Sequence, residues 1–113
     1  MEITENSVGG VTIAVMTGRL DGATASDAEA KLLGLLAGGA KLVVDLAEVA
    51  YVSSAGLRVL LMAAKQAKAG GSAFALAAPQ PGVMEVLQVS GFHKILTIHV
   101  GRDAAVAALL QAG

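Results

Sequence analysis

Three glycine pairs, Gly9-Gly10, Gly38-Gly39 and Gly70-Gly71, cut the chain where one hydrophobic period gives way to another. On either side of the first pair, Glu2 to Val8 and Val11 to Thr17 are rich in β-branched residues. Gly-Gly supplies the positive φ angles of a tight turn, so this spacing predicts a β-hairpin. Gly18-Arg19-Leu20-Asp21-Gly22 is expected to break the second strand. Ser26 and Glu29 then stand at capping-box spacing and start a helix near Thr24 to Asp27, with Ala28, Leu32, Leu35 and Leu36 on its apolar face. The second glycine pair ends it.

Leu42-Val43-Val44, closing on Asp45, is the near-continuous apolar run of a strand covered on both faces. After a short connector, Leu57, Leu60, Leu61 and Ala64 fall at helical spacing from Ser54 onward, while Arg58, Lys65 and Lys68 point elsewhere. The third glycine pair stops this helix. Phe74 to Ala77 reads as a strand, Pro79 to Gly82 as a turn, and Val83 to Val89 as a short helix ending near Gly91. Ile95 to Val100 reads as a last strand and Asp103 to Gln111 as a terminal helix. The pattern is α/β: one domain over residues 1–113, an N-terminal β-hairpin followed by alternating strands and helices, with a mixed sheet and packed helices.

Composition narrows what such a domain does. Hydrophobic residues make up 55% of the chain and aromatics 3%, so the core is aliphatic and suits close helix-on-sheet packing. Net charge is −1 with no basic stripe, which argues against direct nucleic-acid binding. The absence of cysteine excludes thiol catalysis and thiolate metal sites. The acidic start MEITENS is unlike a signal peptide. The longest helical apolar run, Val59 to Ala64, is far short of the roughly 20 residues of a membrane span. No membrane insertion and a cytoplasmic location are therefore expected.

Ser53 and Ser54 stand at a strand-to-helix junction, where backbone N–H groups lack partners. One reading is an N-cap serine. The other is a phosphorylation site, because a phosphate on the first helical turn is stabilised by free amides and the helix dipole. Ala55 and Gly56 would let another protein's active site approach closely. Hydrolase chemistry has less support, since Val52-Ser53-Ser54-Ala55-Gly56 lacks the first glycine of a nucleophile elbow. His93 and His99 have no carboxylate partner at ligand spacing, so no metal is expected. No phosphate-binding loop occurs either. The residues thus point to a chain without enzymatic activity of its own and without a cofactor.

Val43-Val44-Asp45-Leu46, then Val49, Tyr51-Val52 and Ser54-Ala55-Gly56-Leu57-Arg58-Val59-Leu60, resemble the signature of STAS-domain anti-sigma factor antagonists. In that family a buried strand ends in Asp-Leu and a loop leads to Asp-Ser-Ser/Thr-Gly-Leu at a helix start. Gly18-Arg19-Leu20-Asp21 resembles the family's Gly-Glu-Leu-Asp loop, and Val86-Leu87 through Gly91-Phe92 to Ile95 resembles its C-terminal helix and strand. The resemblance runs along nearly the whole chain.

It implies an antagonist that binds an anti-sigma factor with serine-kinase activity while unphosphorylated. Phosphorylation releases it, a phosphoserine phosphatase restores it, and sigma-factor-dependent transcription follows the switch. Ser54 matches the phosphoacceptor; Asp21, Ser53, Ser54, Ala55, Gly56 and Arg58 form the implied partner surface. Ser53 replaces the family's Asp and Ala55 its second Ser or Thr, which makes Ser53 a second candidate acceptor. The alternative is a STAS subunit docked permanently on a larger assembly, such as a lipid-transport ATPase or a stress-signalling scaffold, without phospho-switching. A small-ligand or nucleotide-binding domain is a third class, for which the sequence holds no dedicated motif.

Overall fold

In the computed structural model, residues 1–111 are described. Strand β1 (Glu2–Val8) turns at Gly9-Gly10 and pairs antiparallel with β2 (Val11–Leu20), so the hairpin forms as its sequence predicts. Helix α1 (Ala25–Leu36) leads to β3 (Lys41–Val52), α2 (Ser54–Ala69) to β4 (Phe74–Ala77), and α3 (Pro81–Val89) to the two-residue β5 (Ile98–His99). Helix α4 (Arg102–Gln111) follows. The sheet order is β1-β2-β3-β4-β5, with every pair after the hairpin parallel.

This order explains the layering. Right-handed crossovers that step across a parallel sheet in one direction place all their helices on one face. Accordingly Ala28 and Leu32 of α1, Leu60 and Ala63 of α2, and Val83 and Leu87 of α3 share one core with Met16, Leu42, Val44, Leu46 and Leu76. On the opposite face, Ala105, Val106 and Leu109 of α4 cover Val11, Ile13, Val43, Ala75 and Ala77. The strict alternation of Leu42, Val43 and Val44 between these two cores is why that run is apolar throughout.

Four expectations need correction. Gly18-Arg19-Leu20 does not break β2; the strand continues to Leu20, because register shifts between Val15 and Thr17 and between Gly18 and Arg19 absorb the irregularity. Gly18 takes φ 111°, a conformation L side chains rarely adopt. The segment after Asp45 is likewise strand, since β3 pairs with the prolonged β2 as far as Val52. The Ser26/Glu29 capping box does not form: Thr24 is the N-cap of α1, and Ser26 lies inside the helix, exposed. Finally, Ile95 to Val100 is mostly not strand. A 3₁₀ turn at Phe92–Lys94 precedes it and only Ile98–His99 pair, leaving Ile95 61% and Val100 94% exposed at the sheet edge. Smaller shifts extend α3 back to Pro81 and α4 back to Arg102.

Candidate functional site: the paired ends of two parallel strands

Parallel strands expose their carboxyl ends together, and in open α/β sheets that rim is where binding sites form. Here β2 and β3 end side by side, with Leu20 opposite Val52. The Ser53 amide donates to the Leu20 carbonyl oxygen at 2.9 Å, so the ladder runs one step past the strands and fixes the start of α2 against the loop that follows β2.

Ser53 keeps an extended backbone, φ −88° and ψ 178°, and is the N-cap of α2; its Oγ accepts from the Gly56 amide at 3.3 Å. Its carbonyl accepts from the Leu57 amide at 2.8 Å. Ser54 is the first helical residue and is exposed, and its hydroxyl makes no hydrogen bond among the described residues. The amides of Ser54 and Ala55 also have no acceptor among the described residues. The two serines have therefore divided the roles that the sequence left open: Ser53 caps and Ser54 is displayed.

Gly56 is buried and lets the start of α2 lie close against the end of β2. A Cβ there would meet the Leu20 carbonyl oxygen, Leu20 Cγ at 2.8 Å and Val52 Cγ1 at 3.0 Å. No side chain larger than hydrogen fits without moving the end of β2. Ala55 is half-buried beside it, and Arg58 is exposed one turn along α2.

The Asp21 loop is tightly tied. Asp21 Oδ1 accepts from the Ala23 amide at 3.0 Å, and Thr24 Oγ1 accepts from the Asp21 amide at 3.0 Å while donating to the Arg19 carbonyl at 2.9 Å. Desolvation pushes the Asp21 carboxyl upward. The hydrogen bonds from Ala23, Arg19 and Thr24, with the Arg19 charge, outweigh it and hold the group below its ordinary range. The Arg19 guanidinium lies 4.5 Å from the centre of the Tyr51 ring and 3.4 Å from Asp21 Oδ2. Sequence reasoning missed this Arg19–Tyr51 pair, which arises from the register that sets Arg19 opposite Tyr51.

A second feature escaped the sequence. Asp45 is buried among hydrophobic neighbours, and its Oδ2 accepts from Arg102 Nε at 3.0 Å and Nη2 at 2.8 Å. Its Oδ1 accepts from the Ala47 amide at 2.9 Å. The pair ties the first residue of α4 to β3 on the face away from α2. It is an anchor of the fold and is not part of the Ser54 rim.

The family model described as "Mlab, STAS domain" matches residues 4–98. The chain belongs to the STAS-domain family. It is 37% identical, over 99% of its length and 97% of the relative's, to a Bordetella bronchiseptica protein named as anti-sigma factor antagonist BtrV. A structure of an anti-sigma factor antagonist from Mycobacterium paratuberculosis superposes with a TM-score of 0.88 at 23% identity, covering 96% of this chain and 92% of that one. SpoIIAA in its unphosphorylated form superposes with a TM-score of 0.80 at 18% identity, covering 97% of each chain. The phosphorylated form of the Bacillus cell-fate determinant SpoIIAA gives 0.71 at 18%, covering 95% and 98%. These structures share the five-stranded mixed sheet with its helices; STAS membership and the fold resemblance read from Val43 to Leu60 hold.

Proposed function

We propose that this STAS domain is an anti-sigma factor antagonist switched by phosphorylation of Ser54. The observation that carries the reading is the division between the serines: Ser53 Oγ is engaged by the Gly56 amide, while Ser54 is exposed on the first turn beside amides without a partner among the described residues. A hydroxyl so placed is open to a kinase. A phosphate there stays compatible with the helix, because the free amides and the dipole favour negative charge. The same phosphate adds about −1.5 to −2 charges to a surface that must be desolvated for a partner to dock, which opposes binding.

In this reading the unmodified chain occupies an anti-sigma factor that is also its serine kinase, so the sigma factor is free. Phosphorylation releases the chain, and a phosphoserine phosphatase returns it. In this reading Asp21, Ser53, Ala55 and Arg58 complete the contact around Ser54, while Gly56, expected from the sequence on the same surface, is buried against Leu20 and Val52 and serves by seating the start of α2. The chain supplies a surface and an acceptor hydroxyl, and the chemistry belongs to its partners. The name of the Bordetella relative, an anti-sigma factor antagonist, supports the antagonist part of this reading.

Incubation with the cognate kinase and ATP, followed by peptide mapping, tests it. Phosphate is expected on Ser54. Phosphate only on Ser53 would overturn the Ser54 assignment and move the acceptor to that residue; phosphate on neither serine, with the chain still bound to its partner, would place it in the class of permanent subunits.

A further inference from the structure

Ser54 belongs to a longer stripe. Residues 58, 61, 65 and 68 follow it by 4, 7, 11 and 14 positions and fall within about 40° of it around a 3.6-residue helix, and residue 62 lies about 80° away at the edge of the same side of α2. The opposite side, with Gly56, Val59, Leu60, Ala63 and Ala67, is buried against the sheet. The outward stripe thus reads Ser54, Arg58, Leu61, Met62, Lys65, Lys68: three cations align where the linear sequence showed no basic stripe, and Leu61, expected on the buried apolar face, lies among them.

Two properties set it apart from a solvated helix face. Its charge is of one sign: α2 carries Arg58, Lys65 and Lys68 and no carboxylate, in a chain whose net charge is −1. None of the three takes part in an ion pair among the described residues, whereas Arg19, Lys31 and Arg102 all do. The stripe also holds apolar side chains where polar ones are expected. Leu61 and Met62 are only half-buried and, with Arg58 and Lys65, line a shallow groove of about 140 Å³.

We infer that this stripe is the docking track for an acidic, amphipathic helix of the anti-sigma factor. Such a helix would set apolar residues against Leu61 and Met62 and carboxylates beside Arg58, Lys65 and Lys68. Charge complementarity and continuity with Ser54 both favour this occupant. A lipid surface fits less well, because interfacial helices bury a wide apolar face and this stripe offers two half-exposed side chains. Phosphate on Ser54 then acts twice: it repels the acidic helix, and it draws Arg58, one turn away, into a charge-assisted contact that withdraws a cation from the track.

The inference rests on the anti-sigma reading, and its test separates the two. Binding of the cognate anti-sigma factor is measured for the unmodified chain, Arg58→Glu/Lys65→Glu, Leu61→Asp/Met62→Asp, and Lys94→Glu as a control off the stripe, with folding of each checked by circular dichroism. Both stripe variants are expected to lose about 30-fold or more in affinity, the first mainly at low salt, with Lys94→Glu within about twofold. If the unmodified chain binds and the stripe variants match Lys94→Glu, the track is wrong and the anti-sigma reading stands. If the unmodified chain does not bind, both fall. Hydrogen exchange on the partner is expected to protect an acidic helical segment; protection confined to basic or extended segments overturns the inference. So does binding of the chain to phosphatidylglycerol vesicles that the same variants abolish.

Discussion

The Ser53 amide and the Leu20 carbonyl oxygen, 2.9 Å apart, join the two halves of the rim at the carboxyl ends of β2 and β3. Through this one hydrogen bond the start of α2 is held against the loop carrying Asp21. A displacement of either strand end therefore moves Ser54 relative to Asp21.

The tightest point of that junction is Gly56. Gly56→Ala forces a methyl group onto the Leu20 backbone and is expected to cost about 1–3 kcal/mol in urea denaturation. Gly82, where a Cβ would meet nothing within 4 Å, is the control. Gly82→Ala should leave stability unchanged or raise it by up to about 1 kcal/mol. Equal losses at the two positions would mean that the close approach at Gly56 has no energetic role.

The two serines should separate in stability measurements. Ser53→Ala removes the side-chain cap of α2 and is expected to cost about 1 kcal/mol. Ser54→Ala removes an exposed hydroxyl that has no partner among the described residues and should cost under about 0.5 kcal/mol. A larger loss at Ser54 would reverse the assignment of cap and displayed residue.

The fold was legible where one element's own residues decide it. Gly9-Gly10 between two β-branched runs specified the hairpin, and Leu42-Val43-Val44 announced a strand with cores on both faces. What stayed hidden depends on distant partners. Ala47, Glu48, Ala50 and Tyr51 interrupt any alternation, yet β3 persists through them because β2 supplies its ladder. Ile95 to Val100 has the composition of a strand and almost none of its pairing, since β5 sits at the edge beside the four-residue β4. At the site, the motif located Ser53 and Ser54, but only the extended φ and ψ of Ser53 decide which one caps.

Asp45 and Arg102 are separated by 57 residues, and no local pattern links them. Their pair makes an asymmetric prediction. Arg102→Ala strands a carboxylate whose side chain is 8% exposed, and should cost about 2–3 kcal/mol. Asp45→Asn keeps an acceptor for the Ala47 amide and leaves Arg102, 40% exposed, to solvent; it should cost about 1 kcal/mol. Thermal denaturation of the two variants checks the order. Neither change should alter phosphorylation of Ser54, because the pair lies on the other face of the sheet.

Asp21→Ala should slow phosphorylation and weaken partner binding by about tenfold, since the loop loses the bond to Ala23 and its tie to Arg19. Kinase kinetics and calorimetry read this directly. If both are unchanged, Asp21 serves only its own turn.

The central claim is that the charge state of Ser54 sets partner affinity. The most direct measurement is calorimetric binding of the cognate anti-sigma factor to the unmodified chain and to chain fully phosphorylated at Ser54, at one salt concentration. A loss of about 100-fold or more on phosphorylation, roughly 2.7 kcal/mol, is the expected result. Affinities within about threefold of each other would contradict the account.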